Sequence, residues 1–543
     1  MNEIEFPLVL VSLQSPEDSE VLPLGAACAA ASLVKAGLIE KKHVFLLSAS
    51  IADEPKLLLR RIAEKSPRVV GFSLYCWNSK VSIDLAARLR ADFPDLLIIA
   101  GGPDAEWLAL GGGQANPFDA VFLGETEVGL PAWFAETAAR VFASGPRPRT
   151  AFIRARPAEA AALPSPWLED ILVPKRGASV AWELTRGCPF RCAYCYEGRG
   201  FSGLRHFERE RLAAELELFT RSGVGKVFVL DPTFNVQRKR ALSLLDLFME
   251  KGGGILWNFE IRAELLDRAQ AEAFAKIPCS LQIGLQSASP EVLEKIGRDL
   301  NRKNFASKVR LLNDTGAVFG LDLIYGLPGD SLSGFRRSLD FALSLMPNHL
   351  DIFPLAILPG TRLYEQREEF GLDCDSEPPY LLRSHPTFSV QDMGEAERLA
   401  RACKVFYSDG RAVPWFLALL KAIRLAPSSF LGGFEASREG IGKGHQAIEA
   451  LQLAYIARIY GEKNRLDLLP AAFDLIRYHG AWSRAFAEGA ASTLRLSYSL
   501  QSLESPESLD LEYFCAHNEK RPCEIEVYPT PRGPKARILK RHA

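Results

Sequence analysis

The chain is 543 residues long, with 48% hydrophobic and 24% charged residues, an ordinary globular composition with room for about two to four domains. Its 65 basic and 66 acidic residues leave a net charge of −1, which argues against a general nucleic-acid or membrane-surface binder. No run approaches the ~20 apolar residues of a membrane span, and Glu3, Glu5 and Pro7 break any secretory signal, so the cysteines read as reduced thiols of a cytosolic protein.

Along the N-terminal part, apolar strand-like runs (Phe6–Leu13, His43–Ala49, Val69–Tyr75, Leu96–Ala100, Ala120–Leu123) alternate with helical stretches at Gly25–Ala36, Lys56–Ala63 and Val81–Ala91. Fully apolar strands joined by helices predict a parallel sheet covered on both faces, a Rossmann-like α/β domain over residues 1–140. Such sheets bind ligands beyond the carboxyl ends of their strands. There the sequence carries Ser73-Leu-Tyr75-Cys-Trp77-Asn78, Gly101-Gly102-Pro103 and Gly124-Glu125. Glycines at these turns let a bulky ligand approach the backbone. The proline-rich stretch that follows, with Pro146, Pro148, Pro157, Pro164, Pro166 and Pro174, reads as a linker over residues 141–178.

From Ser179 six further strands are predicted, at Val180–Leu184, Lys226–Leu230, Leu256–Ile261, Ser280–Leu285, Val318–Ile324 and His349–Leu355, with helices between them. Six strand–helix units over residues 179–372 imply an open, partial (β/α)6 barrel whose active site lies at the carboxyl ends of its strands. The first strand runs into Thr185-Arg-Gly-Cys188-Pro-Phe-Arg-Cys192-Ala-Tyr-Cys195-Tyr196. Three thiolates on one short loop suit a cubane iron–sulfur cluster. Zinc would want a fourth Cys or His close by, and the nearest candidate, His206, lies eleven residues on. The remaining residues, 373–543, read as a mainly helical domain with short strands near Glu526–Tyr528 and Ala536–Leu539. Cys515, His517 and Cys523 within it are either incidental or part of a metal site lacking a fourth ligand. The basic run from Arg532 to Arg541 reads as a solvated terminus.

The C-x3-C-x2-C spacing, with an aromatic residue before the last cysteine, resembles the cluster loop of the radical S-adenosylmethionine (SAM) enzymes. In that family three cysteines hold a 4Fe–4S cluster whose open iron chelates SAM, and an electron from the cluster cleaves SAM to a 5′-deoxyadenosyl radical. The resemblance implies that Cys188, Cys192 and Cys195 ligate the cluster and that the later strand ends contact SAM. Asp231, Thr233 and Asn235 follow the second strand, and Glu260 and Arg262 end the third. Gln286 and Arg298 belong to the fourth, while Asp322 would lie beside the ribose and Tyr325 near the adenine. The third and fourth of these patterns are similar to those of oxygen-independent coproporphyrinogen oxidases.

The N-terminal domain resembles the cobalamin-binding domain of one large class of radical SAM enzymes. That resemblance makes Ser73, Tyr75, Trp77, Asn78, Gly101, Gly102, Gly124 and Glu125 candidate cobalamin contacts. Its only histidine, His43, lacks the Asp-x-His-x2-Gly context of a cobalt ligand, so Tyr75 and Trp77 are either the lower face of the cofactor or core aromatics. The Tyr-x-Trp-Asn stretch looks like a subgroup with an extra C-terminal domain of unassigned role, expected here to close over the barrel mouth. The expected activity is methylation of an unactivated carbon of a small molecule or peptide, with a low-potential electron donor such as flavodoxin or ferredoxin. Cyclisation or rearrangement without methyl transfer is the alternative. A methylthiotransferase would need a second cluster, for which Cys28 and Cys76 are too few. A non-catalytic sensor would have no use for SAM-facing strand ends.

Overall fold

The computed structural model describes residues 7–16, 22–112, 116–138, 150–197, 203–434 and 444–541. Glu3, Glu5, Phe6, Pro146 and Pro148 lie outside the described residues. The first sheet comprises β1 (Leu8–Gln14), β2 (Val44–Ser50), β3 (Val69–Ser73), β4 (Leu97–Gly101), β5 (Ala120–Leu123) and β6 (Ala151–Arg154), all parallel, in the order β2-β1-β3-β4-β5-β6. Val9, Val11 and Leu13 of β1 face one apolar layer while Leu8 and Leu10 face the other. Burial on both faces is why the strand reads as continuous rather than alternating, and each such side chain contributes about 1.5–3 kcal/mol. The chain leaves β1 toward β2 and returns to the other side as β3, so a topological switch point lies between β1 and β3.

β6 falls in the stretch expected to be linker. It is an edge strand of four residues in alternating half-exposure, so it lacks the apolar run that marks the other five. His43 lies at the amino end of β2, away from the carboxyl ends where the turns gather.

The second sheet begins with β7 (Ser179–Trp182). A two-residue antiparallel pair follows, β8 (Thr185–Arg186) with β9 (Arg205–His206), which closes the cysteine loop at its base. Then come β10 (Lys226–Val229), β11 (Leu256–Ile261), β12 (Cys279–Gln286), β13 (Val318–Tyr325) and β14 (His349–Pro354). These strands neighbour one another in chain order and all run parallel, with crossover helices outside, giving the open six-stranded barrel. The helices stop where the sequence signals it. Gly223 and Gly316 adopt left-handed φ of +69° and +74° beyond the helices Arg209–Ser222 and Arg302–Thr315, and Asp267 with Gln270 forms a capping box.

The barrel core continues without a break into the helices Val390–Cys403, Phe416–Ile423, His445–Glu462 and Leu469–Ala487. Two short pairs complete the chain: β15 (Asp373–Cys374) with β16 (Leu382–Ser384), and the antiparallel sheet β17 (Ser492–Leu496), β18 (Cys523–Tyr528) and β19 (Lys535–Arg541). The turn Lys404–Asp409 lies along β14, where the Ser408 hydroxyl accepts the Leu350 N–H at 3.0 Å. The described C-terminal residues pack along the flank of β14, and Leu382 and Met393 also lie against Gly326 at the carboxyl end of β13. Cys523 donates to the Tyr498 carbonyl and Cys515 accepts from the Tyr498 hydroxyl, so both thiols serve packing. Among the described residues no helix is long and apolar enough to cross a membrane.

Gly102 has φ +114°, and an added Cβ would meet the Leu74 carbonyl oxygen at 2.5 Å. Gly102→Ala is expected to cost about 2–4 kcal/mol through steric and backbone strain, read as a lower urea midpoint for the N-terminal domain.

Candidate functional site

The two sheets present their carboxyl ends to one cavity of about 970 Å³. Gln14, Ser73, Tyr75, Trp77, Gly101 and Gly102 line it from the first sheet, with Gly124 and Glu125 beyond β5. From the barrel side it receives Glu183, Thr185, Arg186 and Gly187, then Tyr196, Glu197, Leu230 and Pro232. Tyr75 and Trp77 stack, with ring centroids 4.5 Å apart and planes inclined by 13°, and Trp77 keeps 47% of its surface exposed. A half-bare indole on a cavity wall is an apolar face without a protein partner. At Gly101 a side chain would strike the Thr126 hydroxyl, and Gly124 holds φ +88°, so both turns keep the backbone open to the cavity.

Charged groups cross between the sheets beside this cavity. Arg186 reaches Glu127 at 2.5 Å, Glu183 at 2.8 Å and Glu125 at 3.7 Å, while Arg205 pairs with Glu125 and donates to the Ala158 carbonyl. Burial would lower the Arg186 guanidinium, but Glu183 and Glu127 hold it well above its ordinary value. Glu125 was an expected cofactor contact and lines the cavity, but nothing in the composition marked Arg186, Arg205, Glu127 or Glu183; the signal available was place, with Arg186 two positions before Cys188.

The cysteine loop is braced from several sides. Ala193 donates to the Ile296 carbonyl and accepts from the Leu363 N–H, both at 2.8 Å, and the Arg262 guanidinium lies 3.8 Å over the Phe190 ring. Burial raises the Cys188 thiol against the pull of backbone and Thr233 hydrogen bonds, and pushes Cys195 up to about 12. Cys188 feels the charge of Cys192, and Cys195 feels both, so the three sulfurs lie within electrostatic reach of one another. Thiolates crowded together and sheltered from water need positive charge among them, which suits a cluster-binding donor set. Among the described residues no three His, Cys, Asp or Glu side chains converge as a ready site for a single metal ion.

Next to that loop, the bulge between Gly284 and Gln286 gives Gln286 a φ of +66° and turns its side chain back over Gly284. Arg298 donates to the Gly284 carbonyl at 2.7 Å and approaches the Tyr194 hydroxyl at 3.4 Å. Gln286 Oε1 and Arg298 Nε are buried without a partner among the described residues, two open hydrogen-bonding groups side by side at a strand end.

Residues 182–342 match the family model of the radical SAM superfamily. The chain carries a radical SAM domain. Over 377 residues it is 27% identical to the cobalamin-dependent radical SAM methyltransferase TokK of Streptomyces tokunonensis, covering 61% of this chain and 54% of the relative. It is likewise 27% identical over 372 residues to the 2-(S-pantetheinyl)-carbapenam-3-carboxylate methyltransferase of Streptantibioticus cattleyicolor, covering 62% and 54%. The chain thus spans about half the length of these curated relatives. In fold it is similar to the cobalamin-dependent SAM radical enzyme OxsB (TM-score 0.57, 14% identity, 94% of this chain and 83% of that one). It is also similar to the methyltransferase TsrM of Kitasatospora setae (0.51, 15%, 69% and 79%).

Several expected ligand contacts of the radical SAM domain turn out to be framework. Asp231 accepts the N–H groups of Leu184 and Thr185 at 2.8 and 3.0 Å and is buried beneath the loop, where it anchors the segment entering the cysteines. Asn235 spends both ends of its amide on the Arg262 backbone, and Arg262 itself packs under Phe190. Tyr325 sits at an outward position of β13 against Phe335, so only its backbone faces the mouth. Asn78 accepts the Tyr75 N–H and donates to the Leu13 carbonyl, both at 2.8 Å, pinning the turn after β3 to the end of β1. It is fully buried behind the cavity wall.

In the barrel lumen, Gln282 donates to both Asp322 and Asp351 and accepts from the His349 ring. Burial, with the charges of Asp351 and Glu260, holds Asp322 at about 7 against the Gln282 hydrogen bond. Glu260 projects into the same mouth, where desolvation and then the Glu197 charge raise its carboxyl. Gln282, His349 and Asp351 were not expected; their inward direction follows from the same two-residue parity that points Asp322 inward.

Burial pushes Asp231 up from 3.8 to about 7 despite its two backbone donors. Its folded value lies above the unfolded one, so the stability it contributes is fullest at low pH and declines as pH rises from 3.8 to about 7. Asp231→Asn keeps an acceptor for both N–H groups and is expected to flatten this decline. Asp231→Ala strands both donors and is expected to cost about 2–4 kcal/mol at low pH, a cost that shrinks as the wild-type carboxyl ionises toward about 7. Urea unfolding at about pH 5 and about pH 8 separates the two.

Proposed function

We propose that the chain is a cobalamin-dependent radical SAM enzyme that methylates an unactivated carbon of a small molecule or peptide. The observation that carries this reading is the single cavity bounded by the carboxyl ends of both sheets, with the bare Trp77 indole on one wall and the residues leading into the cysteine loop on the other. The resemblance in sequence to cobalamin-dependent methyltransferases supports it.

When bound, the cluster supplies the electron that cleaves SAM, and cobalamin supplies the methyl group. The chain's own residues position and insulate. Cys188, Cys192 and Cys195 would hold the cluster, with the Thr233 side chain in hydrogen-bonding reach of the Cys188 sulfur. Arg298 suits a carboxylate, and the unpartnered Gln286 Oε1 beside it suits an ammonium group, so together they fit the amino-acid end of SAM. Glu260 and Asp322 offer acceptors to a ribose, and Asp322, near half-protonation at neutral pH, both donates and accepts. The exposed Trp77 indole, backed by the stacked Tyr75 ring, would offer a flat aromatic face to a corrin ring. A low-potential donor of the flavodoxin or ferredoxin type would deliver the electron.

Anaerobic reconstitution with iron, sulfide, hydroxocobalamin and SAM tests the reading. The wild-type protein is expected to gain a brown chromophore, shift the hydroxocobalamin spectrum and release 5′-deoxyadenosine. Cys192→Ala should lose the chromophore and all SAM cleavage; a variant that still makes 5′-deoxyadenosine overturns the assignment. Trp77→Ala should keep the cluster but bind hydroxocobalamin about tenfold more weakly, through lost stacking and apolar contact.

A further inference from the structure

Tyr380 lies beyond the barrel, in the connection between β15 and β16, and is not a wall of the cavity. It is nonetheless buried to 1% exposure, and its hydroxyl donates to both oxygens of Asp104, at 2.9 and 3.1 Å. Asp104 is itself fully buried and immediately follows the cavity-lining turn Gly101-Gly102-Pro103. Through its backbone Asp104 donates to the Leu74 carbonyl, while Leu74 donates to the Gly101 carbonyl. Leu74 stands between Ser73 and Tyr75, so the Asp104 backbone ties together the two strand-end turns, and its carboxylate fastens that junction to Tyr380.

The phenol also lies within electrostatic reach of Cys76, between Tyr75 and Trp77 in the chain, and of Tyr196, which directly follows the last cysteine of the loop. Around it the same two segments meet again. Trp107 donates to the Ser376 carbonyl at 3.3 Å and packs its ring 6.3 Å from that of Tyr380, and Lys80 reaches Glu377 at 3.3 Å. Tyr380 holds φ +58°, a conformation a bulky side chain keeps only where its surroundings fix it. Here the fixing comes from its own N–H on the Glu377 carbonyl and its carbonyl on the Ile357 N–H.

We propose that Tyr380 and Asp104 are positioning residues for the cavity: the phenol, anchored on the segment after β15, sets the two turns of the first domain in register with the cysteine loop. The inference rests on the proposed cobalamin reading for what the cavity holds, but the mechanical link does not depend on it. Neither residue touches the cavity, so their effect on a ligand there passes through the Gly101–Leu74 turns.

The test uses the full-length protein reconstituted with iron and sulfide. Its two readouts are hydroxocobalamin affinity from the visible spectrum and backbone amide exchange by mass spectrometry. Tyr380→Phe and Asp104→Ala are each expected to weaken hydroxocobalamin binding about tenfold, the scale of one lost hydrogen bond to a buried charge. Iron and sulfide content should be unchanged. The double variant should be no worse than either single, and Asp104→Asn, which keeps an acceptor for the phenol, should recover most of the loss. Exchange should quicken in peptides covering 73–78, 101–107 and 194–197 together. Wild-type affinity in Tyr380→Phe, additive single effects, or exchange that quickens only within 376–384 would overturn the proposal. Should Tyr380→Phe fail to fold, Asp104→Asn against Asp104→Ala makes the same comparison, equal affinities counting against it. A wild-type protein that ignores hydroxocobalamin would end the functional reading instead, and the exchange pattern would still decide whether Tyr380 governs both turns.

Discussion

Polar chemistry in this molecule is confined by the way its parallel sheets are buried. The first sheet is covered by apolar layers on both faces, and the barrel strands pack against crossover helices, so the ends of the strands are the natural places for unpaired polar groups to meet solvent. The two sheets direct their carboxyl ends at each other, which gathers their turns around one cavity. The spacing of that gap is held by charged and hydrogen-bonded pairs rather than by apolar contact alone. Buried ion pairs of this kind add little net stability, because desolvation offsets their attraction, but removing one partner strands the other at a cost of about 3–5 kcal/mol. Arg186, set among Glu125, Glu127 and Glu183, therefore acts as a gauge of distance more than as a glue.

The barrel mouth is built with an excess of negative charge. Burial raises Glu260 and Asp322 first of all, the charge of Glu197 adds to Glu260 and those of Asp351 and Glu260 add to Asp322, while Arg298 opposes the rise of Asp322. Without a ligand, this crowding is relieved by partial protonation of Asp322 near neutral pH. A positively charged ligand such as a sulfonium favours the ionised carboxylates, so its binding is linked to proton release in the same pH range. The neutral Gln282 amide is what allows Asp322 and Asp351 to sit so near each other, since it donates to both carboxylates at once.

Much of this architecture was legible because most of its strands carry several fully buried apolar residues, nearly continuous in the first sheet and alternating with lumen-facing polar groups in the barrel, and all six barrel strands lie where that pattern put them. β6 and β17 were not legible for the same physical reason reversed: both alternate between exposed and half-buried residues over most of their length, and so carry no apolar run. At the site, the sequence shows which residues end a strand but not which way each side chain turns after the strand stops. Asp231, Asn235 and Asn78 stand at the expected ends yet satisfy backbone groups behind the cavity, because a sharp turn leaves N–H and carbonyl groups that short polar side chains are suited to pair. The Tyr325 side chain turns outward by parity, one residue away from an inward position, and packs on Phe335. Tyr380 could not be read at all, since its partner lies 276 residues away and nothing periodic connects them.

That long-range contact also changes what the C-terminal region is for. A lid needs its own core and a hinge, so that it can move as a body. The described C-terminal helices instead share one continuous core with the barrel, and the turn Lys404–Asp409 is bonded along β14. The segment that leaves this fused body at β15 reaches back to the first domain at Asp104, Trp107 and Lys80. Two domains held by residues 155–178 and by the ion pairs of Arg186 and Arg205 beside the cavity would keep some freedom to rock about that side. A second tether, far from the first in sequence and rigidly mounted on the barrel, removes that freedom. The C-terminal region therefore completes the cavity from outside it, by holding its two walls at a set separation.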